Sequence, residues 1–214
     1  LAAFAKSSDL PVHMHLAQSA GEQKRTLASC GKTPVAFAHE CGLLGPRTQA
    51  VHLTAVTSGD LKVLEQTDTA VGFCPASQVL FEKLAPLPEF LAHKLKICLA
   101  TDCGPSNDTA DVMGEMRIAD LLYRHETKSS LPDDVLWDMV TTNPARVFTP
   151  KHKLGNIVSG GVADLVFVRR SLSLAPFSNP VRDLIYSQSQ RHIEHVMVDG
   201  KFVLWQRRPV LVSE

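Results

Sequence analysis

The sequence predicts an α/β fold in which repeated strand–helix units form a parallel sheet and a small β region follows. Over residues 10–124, short apolar runs alternate with longer stretches whose apolar residues recur with the helical period, which is typical of βα units. From Gly155 onward the pattern changes to short apolar runs separated by turns. Four βα units fit either an open doubly wound sheet or half of a (β/α)8 barrel.

The elements follow in order along the chain. Residues 1–6 have the character of a helix end, and apolar runs predict strands at residues 10–16, 48–53, 69–74 and 95–101. Helices are predicted over residues 21–30, from Pro34 with Thr33 as its cap, over 58–66 with Ser58 as its cap, over 86–93 after a loop, and over 111–124.

The region after residue 124 begins with one predicted helix over residues 131–148, capped near Ser130 with Pro132 in its first turn. Strands and turns are predicted from there on, with strands at residues 163–169, 195–198 and 201–205. Asp199 and Gly200 separate the last two strands and form a strong signal for a two-residue hairpin turn.

Composition narrows the class of protein. The chain is 44% hydrophobic and 21% charged, as in ordinary globular proteins, and its 22 basic and 22 acidic residues cancel. We therefore expect no nucleic-acid partner. The five cysteines include no C-x-x-C pair, which favours reduced thiols in a cytoplasmic protein over a disulfide framework. No apolar run reaches the length of a membrane span, so no membrane partner is expected.

Three polar residues stand at the ends of predicted strands. His15 ends the first strand, His52 the second and Asp102 the fourth. The carboxyl ends of parallel strands meet at one face, where such folds bind their ligands, so these side chains are expected to converge on a metal or acid–base site. Taken singly, each has a structural alternative, as a hydrogen-bonded core histidine or a turn-forming aspartate. His13 shares a strand face with His15 and could add a second ligand, or pack beside the site.

Six segments carry a further pattern: His15-Leu-Ala with Glu22; residues 31–38 with 42–45; His52 with Leu61 and Leu64; Cys74-Pro-Ala-Ser77; residues 101–107 with Asp111 and 115–117; and residues 163–166 with 198–201. In this order and spacing they resemble the amidohydrolase superfamily. The similar branch contains the methylthioadenosine and S-adenosylhomocysteine deaminases, guanine and cytosine deaminases, and triazine chlorohydrolases.

The resemblance implies a fold. Residues 1–150 would be strands five to eight of a metal-dependent TIM barrel, and residues 151–214 the C-terminal part of a composite β domain, a small β-sandwich. The chain begins without an initiator Met, so we expect it to be the C-terminal portion of a longer sequence.

The resemblance also implies roles. His15 and Asp102 would hold one divalent metal, zinc or alternatively iron, and Asp102 would act as general base on its water. His52 would orient and help to deprotonate that water or stabilise charge on the substrate, and Gln18 would contact the substrate. A divalent metal lowers the pKa of bound water from about 15.7 to about 7. The implied reaction is hydrolytic deamination of a small heterocycle such as a nucleobase, nucleoside or triazine.

Three positions qualify the resemblance. His13 and His15 imitate the H-x-H pair of the family's first strand, but Leu16 and Ala17 fit the fifth strand, so His13 is assigned to packing. Gln18 replaces the glutamate of the deaminases; a glutamine hydrogen-bonds a ring nitrogen but cannot donate a carboxylic proton to it. Gln78 replaces an expected asparagine.

Two alternatives therefore stay open. The same metal-dependent hydrolysis could instead remove chlorine or open a cyclic amide. A half-barrel also leaves two unpaired sheet edges, so the chain could be a non-catalytic fragment that self-associates. A homo-oligomer is the expected state of assembly.

Overall fold

The structure is a computed structural model, and it describes residues 1–81, 83–172, 175, 177–187 and 189–210. Its first sheet is parallel and has the order β1 (Val12–Leu16), β2 (Thr48–His52), β3 (Ala70–Phe73) and β4 (Ile97–Leu99). The helices around it are α1 (Ala2–Ser7), α2 (Ala20–Cys30), α3 (Pro34–Glu40), α4 (Ser58–Gln66), α5 (Pro75–Phe81), α6 (Leu87–Ala92), α7 (Gly104–Asn107), α8 (Val112–Thr127), α9 (Asp133–Asp138) and α10 (Thr142–Phe148).

The second sheet is antiparallel, with the order β5 (Leu165–Val168), β6 (Ile193–Val198), β7 (Lys201–Trp205) and β8 (Arg208–Pro209). Helix α11 (Pro180–Tyr186) and a 3-10 turn at Ser189–His192 lie between β5 and β6. Asp199 and Gly200 have φ angles of 48° and 74°, and Val198 pairs with Lys201. This is the predicted two-residue hairpin, because its tight turn requires positive φ at both central positions.

The α/β class with a parallel sheet is therefore confirmed. The assignment of the parallel sheet to half of a TIM barrel, the small β-sandwich and the division into residues 1–150 and 151–214 stay predictions, and residues 211–214 lie outside the described part of the chain. Among the described helices, none combines the length and apolar character needed to cross a membrane.

The core lies between the parallel sheet and its helices. Phe73 and Ile97 of the strands pack in one cluster with Leu64, Phe90 and Met116 of the helices, and all five side chains are buried. Removing apolar surface from water at about 25 cal/mol per Å² makes this cluster the main stabilising contribution to the sheet. A rigid sheet in turn fixes where its strands end, which is where the polar residues stand.

The cap of α4 differs from the prediction. The side chain of Thr57, not of Ser58, accepts a hydrogen bond from the Asp60 backbone N–H at 3.2 Å. The Asp60 carboxylate accepts one from the Thr57 N–H at 2.9 Å, which completes a capping box. Ser58 has no acidic residue three positions on, so Thr57 makes the more complete cap.

The predicted single helix over residues 131–148 is wrong, because the structure has two helices, α9 and α10. Pro144 explains the break, since a proline ring clashes with the carbonyl four residues earlier and is tolerated only in a first turn. Residues at and just after the break form hydrogen bonds to β4. The Met139 carbonyl accepts from Leu99 N–H at 2.9 Å, and Asn143 Nδ2 donates to the Ile97 carbonyl at 3.0 Å. These contacts cover the outer edge of β4.

Two helices fall where none was predicted. Helix α5 occupies part of the predicted loop between residues 74 and 86, and it follows β3 directly with Pro75 in its first turn. Helix α11 interrupts the predicted run of strands and turns after Gly155, and its Ile185 joins the main core. Both helices are only seven residues long, which is too short for a clear helical period to appear in the sequence.

A buried carboxylate joins α8 to α9 and α11. The Asp120 side chain has no exposed surface and accepts from Leu131 N–H at 2.8 Å, Arg124 Nε at 2.8 Å, Arg182 Nη1 at 2.7 Å and the Tyr186 hydroxyl. Burial raises the pKa of this carboxyl, but the hydrogen bonds and the positive charges around it outweigh burial and hold the pKa below its ordinary value of 3.8.

We expect Asp120→Asn to lower the free energy of unfolding at neutral pH by about 3 kcal/mol, because the guanidinium of Arg182 loses a buried ionic partner. The folded pKa is depressed, so this stabilisation is present above 3.8 and is lost as the pH falls through the folded value. Urea unfolding at neutral and acid pH measures both. Equal stability of the two proteins at neutral pH would contradict the prediction.

Candidate active site

The carboxyl ends of the parallel strands bring the three predicted residues together. One ligand atom each from His15, His52 and Asp102 lies within 4.8 Å of the other two. The rings of His15 and His52 meet edge to face with centroids 4.7 Å apart. His15 is exposed, His52 is buried and Asp102 is intermediate. The predicted convergence of the two imidazoles and the carboxylate is therefore what the structure contains.

The backbone at two of these positions is unusual. His52 has a φ of 75° and Asp102 a φ of 62°, in the left-handed region that most residues avoid. Such conformations cost free energy and persist where surrounding contacts enforce them, which is common at functional sites. Both residues with this unusual backbone also contribute a ligand atom to the cluster.

Asp102 is held through both carboxylate oxygens. The Ser77 hydroxyl donates to Oδ2 at 2.6 Å, and the Cys103 N–H donates to Oδ1 at 2.8 Å. Partial burial raises the pKa of this carboxyl, but the hydrogen bonds from Ser77 and Cys103 and the charge of His52 outweigh burial and lower the pKa overall. Asp102 is thus a carboxylate at neutral pH, with its orientation fixed by neighbours on two segments. We term these segments the β3 loop, residues 74–78 with the first turn of α5, and the β4 loop, residues 101–108 with the short helix α7.

Side chains on the following helices tie the strand ends in place. Glu22 on α2 accepts from the N–H groups of Ala17 and Gln18 at 3.1 and 2.8 Å, directly after β1. Gln78 on α5 donates to the His52 carbonyl at 3.3 Å and accepts from Ala85 N–H at 3.0 Å. The sequence singled out Glu22 as part of a motif and Gln78 as a departure from one, without giving either a role.

A third such tie is Glu115 on α8. It is buried and accepts from Ala76 N–H at 3.0 Å and from Asn107 Nδ2 at 2.7 Å, which places it behind the β3 and β4 loops. In the sequence, Glu115 belonged to the motif at residues 115–117 without a role of its own, as an acidic residue beside Met116 in an otherwise amphipathic helix. That signal does not distinguish a buried carboxylate from a solvated one.

Two other predicted positions have different surroundings. His13 Nδ1 lies 2.7 Å from Gln49 Oε1 and its ring contacts Phe148, so it bonds its neighbours outside the ligand cluster, as predicted. Gln18 belongs to the wall of a cavity of about 530 Å³, together with Thr54 and Phe81. Since Gln18 follows His15 by three residues, this cavity opens beside the β1 end of the site.

Cys74 follows β3 directly, in the motif that also holds Ser77, and its side chain is buried. Burial raises the pKa of its thiol to about 12, and the negative charges of Asp102 and Glu115 act in the same direction. A thiol with that pKa is neutral at physiological pH. Cys74 is therefore an apolar wall of the site rather than a nucleophile.

We expect Ser77→Ala to weaken zinc binding by roughly 10- to 100-fold, the usual effect of removing a hydrogen bond that orients a ligand. The physical reason is that Asp102 Oδ2 loses its 2.6 Å partner. Competition with a chromophoric chelator measures the affinity. Ser29→Ala, which removes an exposed hydroxyl from α2, is the control. An affinity equal to that of wild type would show that Ser77 does not orient the carboxylate.

The chain belongs to the Amidohydrolase family, whose sequence profile matches residues 1–203. It is 31% identical over 203 residues to a 5-methylthioadenosine/S-adenosylhomocysteine deaminase of Syntrophobacter fumaroxidans. The aligned region covers 93% of this chain and 46% of the relative. It is 33% identical over 207 residues to a 5'-deoxyadenosine deaminase of Methanothermobacter thermautotrophicus, covering 95% and 48%. The chain thus spans about half the length of these relatives.

Solved structures agree on the fold. A crystal structure of an adenosine deaminase from Xanthomonas campestris with bound zinc superposes with a TM-score of 0.92 at 27% identity, covering 99% of this chain and 49% of that one. Atrazine chlorohydrolase from Arthrobacter aurescens, complexed with zinc, gives a TM-score of 0.91 at 22% identity, covering 99% and 48%. At that identity the second likeness concerns the fold alone.

Proposed function

We propose that this chain contributes the metal-binding part of an amidohydrolase active site that hydrolytically removes an amino group from a nitrogen heterocycle. The observation that carries the proposal is the cluster of His15, His52 and Asp102 at the carboxyl ends of the parallel strands. The relatives that are 31% and 33% identical are named as deaminases of adenine nucleosides, which supports a purine nucleoside or similar small molecule as substrate.

The donor set fits one divalent metal. Two imidazole nitrogens and a carboxylate oxygen are ligands that zinc accepts, with positions left over for other groups. We assign His15 and Asp102 as metal ligands, with zinc as the metal and iron as the alternative. When bound, such a cation would supply Lewis acidity that makes a water molecule acidic near neutral pH.

The residues of this chain then have separate tasks. Asp102, an ionised carboxylate, accepts a proton from the attacking water and passes it towards the departing amino group. His52, whose backbone is fixed by Gln78, orients that water and stabilises charge that develops on the ring. Gln18 contacts the heterocycle from the wall of its cavity, as a hydrogen-bond donor and acceptor.

The architecture we propose is the one that the resemblance to this family implies. Residues 1–150 are strands five to eight of a TIM barrel, and residues 151–214 are part of a β domain. The TM-score of 0.92 over 99% of the chain supports this division, as does the change from a parallel to an antiparallel sheet.

Self-association is the second candidate, because among the described residues β1 pairs only with β2. An open strand edge invites pairing with another chain. Size-exclusion chromatography with light scattering, at several concentrations, measures this. A metal-free oligomer without hydrolytic activity would favour the non-catalytic interpretation over the enzyme.

The test of the enzymatic proposal combines metal analysis with ammonia release. We expect about one equivalent of zinc or iron per chain, and ammonia from an adenine nucleoside. The substrate panel adds pyrimidines, a chlorinated triazine and a cyclic amide, since chloride release or ring opening would assign the other hydrolytic reactions. Absence of divalent metal, with ammonia release unchanged in Asp102→Ala, would refute the proposal.

A further inference from the structure

Glu115 is a buried carboxylate whose two oxygens serve two different loops. Its side chain projects from α8, and the residue is 1% exposed. Oε2 accepts from the Ala76 backbone N–H at 3.0 Å, and Oε1 accepts from Asn107 Nδ2 at 2.7 Å. Burial of a carboxylate costs free energy, and here the two hydrogen bonds offset that cost.

Both contacts of Glu115 lead to residues that adjoin the hydrogen-bonded pair of Ser77 and Asp102. Ala76 immediately precedes Ser77, the residue that donates to Asp102. Asn107 also donates to the Thr101 carbonyl at 2.8 Å, and Thr101 immediately precedes Asp102. One carboxylate therefore connects the loop after β3 to the loop after β4, and the 2.6 Å hydrogen bond between Ser77 and Asp102 spans the same two loops.

We propose that Glu115 is a positioning residue, which fixes the distance between the β3 and β4 loops so that Ser77 can orient the Asp102 carboxylate. Its relevance to metal binding rests on the proposed function, but its effect on the two loops does not. Glu115 itself touches neither the cluster of ligand atoms nor, in the proposed reaction, the substrate.

The substitution Glu115→Gln tests this with nearly unchanged shape. A glutamine offers one acceptor and one donor, whereas both partners of Glu115 are donors. If the Gln oxygen faces Ala76 N–H, its amide faces the amide of Asn107, which then must turn and lose its bond to Thr101. If the oxygen faces Asn107, the Ala76 N–H is left buried without an acceptor. Either arrangement loosens one of the two loops.

Hydrogen–deuterium exchange is the first readout. In Glu115→Gln we expect exchange roughly tenfold faster in residues 74–78 or in residues 101–108, according to which partner the Gln oxygen faces, since a lost hydrogen bond is worth about 1 kcal/mol or somewhat more. Asp120→Asn is the matched control, because Asp120 is also a buried carboxylate on α8 but bonds towards Leu131 and α11. Equal changes in both variants, or no local change in Glu115→Gln, would overturn the proposal.

Zinc affinity is the second readout, and we expect a loss of roughly tenfold in Glu115→Gln and little change in Asp120→Asn. If the wild-type chain binds neither zinc nor iron, the proposed function fails, and the exchange data alone then decide the role of Glu115.

If Glu115→Gln folds poorly, a double variant that moves the carboxylate from position 115 to position 107 provides a second test. Asn107→Asp alone places two carboxylates against each other. Adding Glu115→Gln restores a hydrogen bond between the Gln amide and the new carboxylate, while the Gln oxygen still accepts from Ala76. We expect the double variant to recover loop protection relative to Asn107→Asp. A double variant no better than the single one would argue against a direct link between these side chains.

Discussion

Asp102→Asn is expected to weaken zinc binding by at least about 100-fold, because loss of a partner that only orients a ligand already costs 10- to 100-fold. The substitution removes the negative charge and keeps the volume. Asparagine also tolerates the left-handed conformation of this position, where φ is 62°, so the variant is expected to fold. Ammonia release is expected to fall by at least about 100-fold, since Asp102 is also the general base of the proposed reaction.

The control for Asp102→Asn is Asp108→Asn. Asp108 also has a left-handed backbone, with a φ of 57°, but it is exposed at the end of α7 and outside the ligand cluster. Both variants lose a carboxylate from a left-handed position, but only Asp102→Asn loses a ligand atom of the cluster. A difference in zinc affinity between them therefore reports the loss of the ligand. Equal zinc affinity in the two variants would remove Asp102 from the metal site, whatever the thermal stability of either.

The strand ends could be predicted because they depend on a short-range pattern. His15, His52 and Asp102 each follow an apolar run, and the parallel arrangement of the runs requires their carboxyl ends to share a face. No knowledge of the loops was needed to predict that these side chains converge. The ligand atoms lie within 4.8 Å of one another, and His52 and Asp102 both have a left-handed backbone, which an apolar pattern does not encode.

The supporting contacts could not be predicted, because they join residues that are distant in sequence through backbone groups. Ala76 and Glu115 are 39 positions apart, and Gln78 lies 26 positions from His52. A backbone N–H is present at nearly every residue, so composition gives no sign of which one a helix side chain will reach. The break before Pro144 was different, since the proline itself was a visible signal against one continuous helix.

These contacts hold the backbone in place at the strand ends, where the polar residues of the candidate site lie. Glu22 holds the end of β1, Gln78 the end of β2, and Glu115 the loops after β3 and β4. Of these three helices, α8 contributes Met116 to the main core and contacts β4, so the position of Glu115 is fixed by the core. A binding site whose ligands are fixed before the metal arrives loses less conformational entropy on binding.

The second large effect is expected on β1, where His13 and His15 offer a matched pair. His15→Ala is expected to weaken zinc binding by at least about 100-fold, because one of the assigned ligands is removed. His13→Ala is expected to change the affinity less than about threefold, since among the described residues the ligand cluster does not include it and its Nδ1 faces Gln49. Chelator competition on both purified variants gives the comparison.

The pair discriminates between two assignments of the strand. Both rings are exposed, both lie on the same strand face, and both substitutions remove the same atoms, so general destabilisation affects the variants alike. A large loss in His15→Ala alone agrees with a single histidine ligand from this strand, as the following Leu16 and Ala17 indicate. Comparable losses in both variants would mean that His13 and His15 bind metal together, and the assignment of β1 to strand five of the barrel would then be wrong.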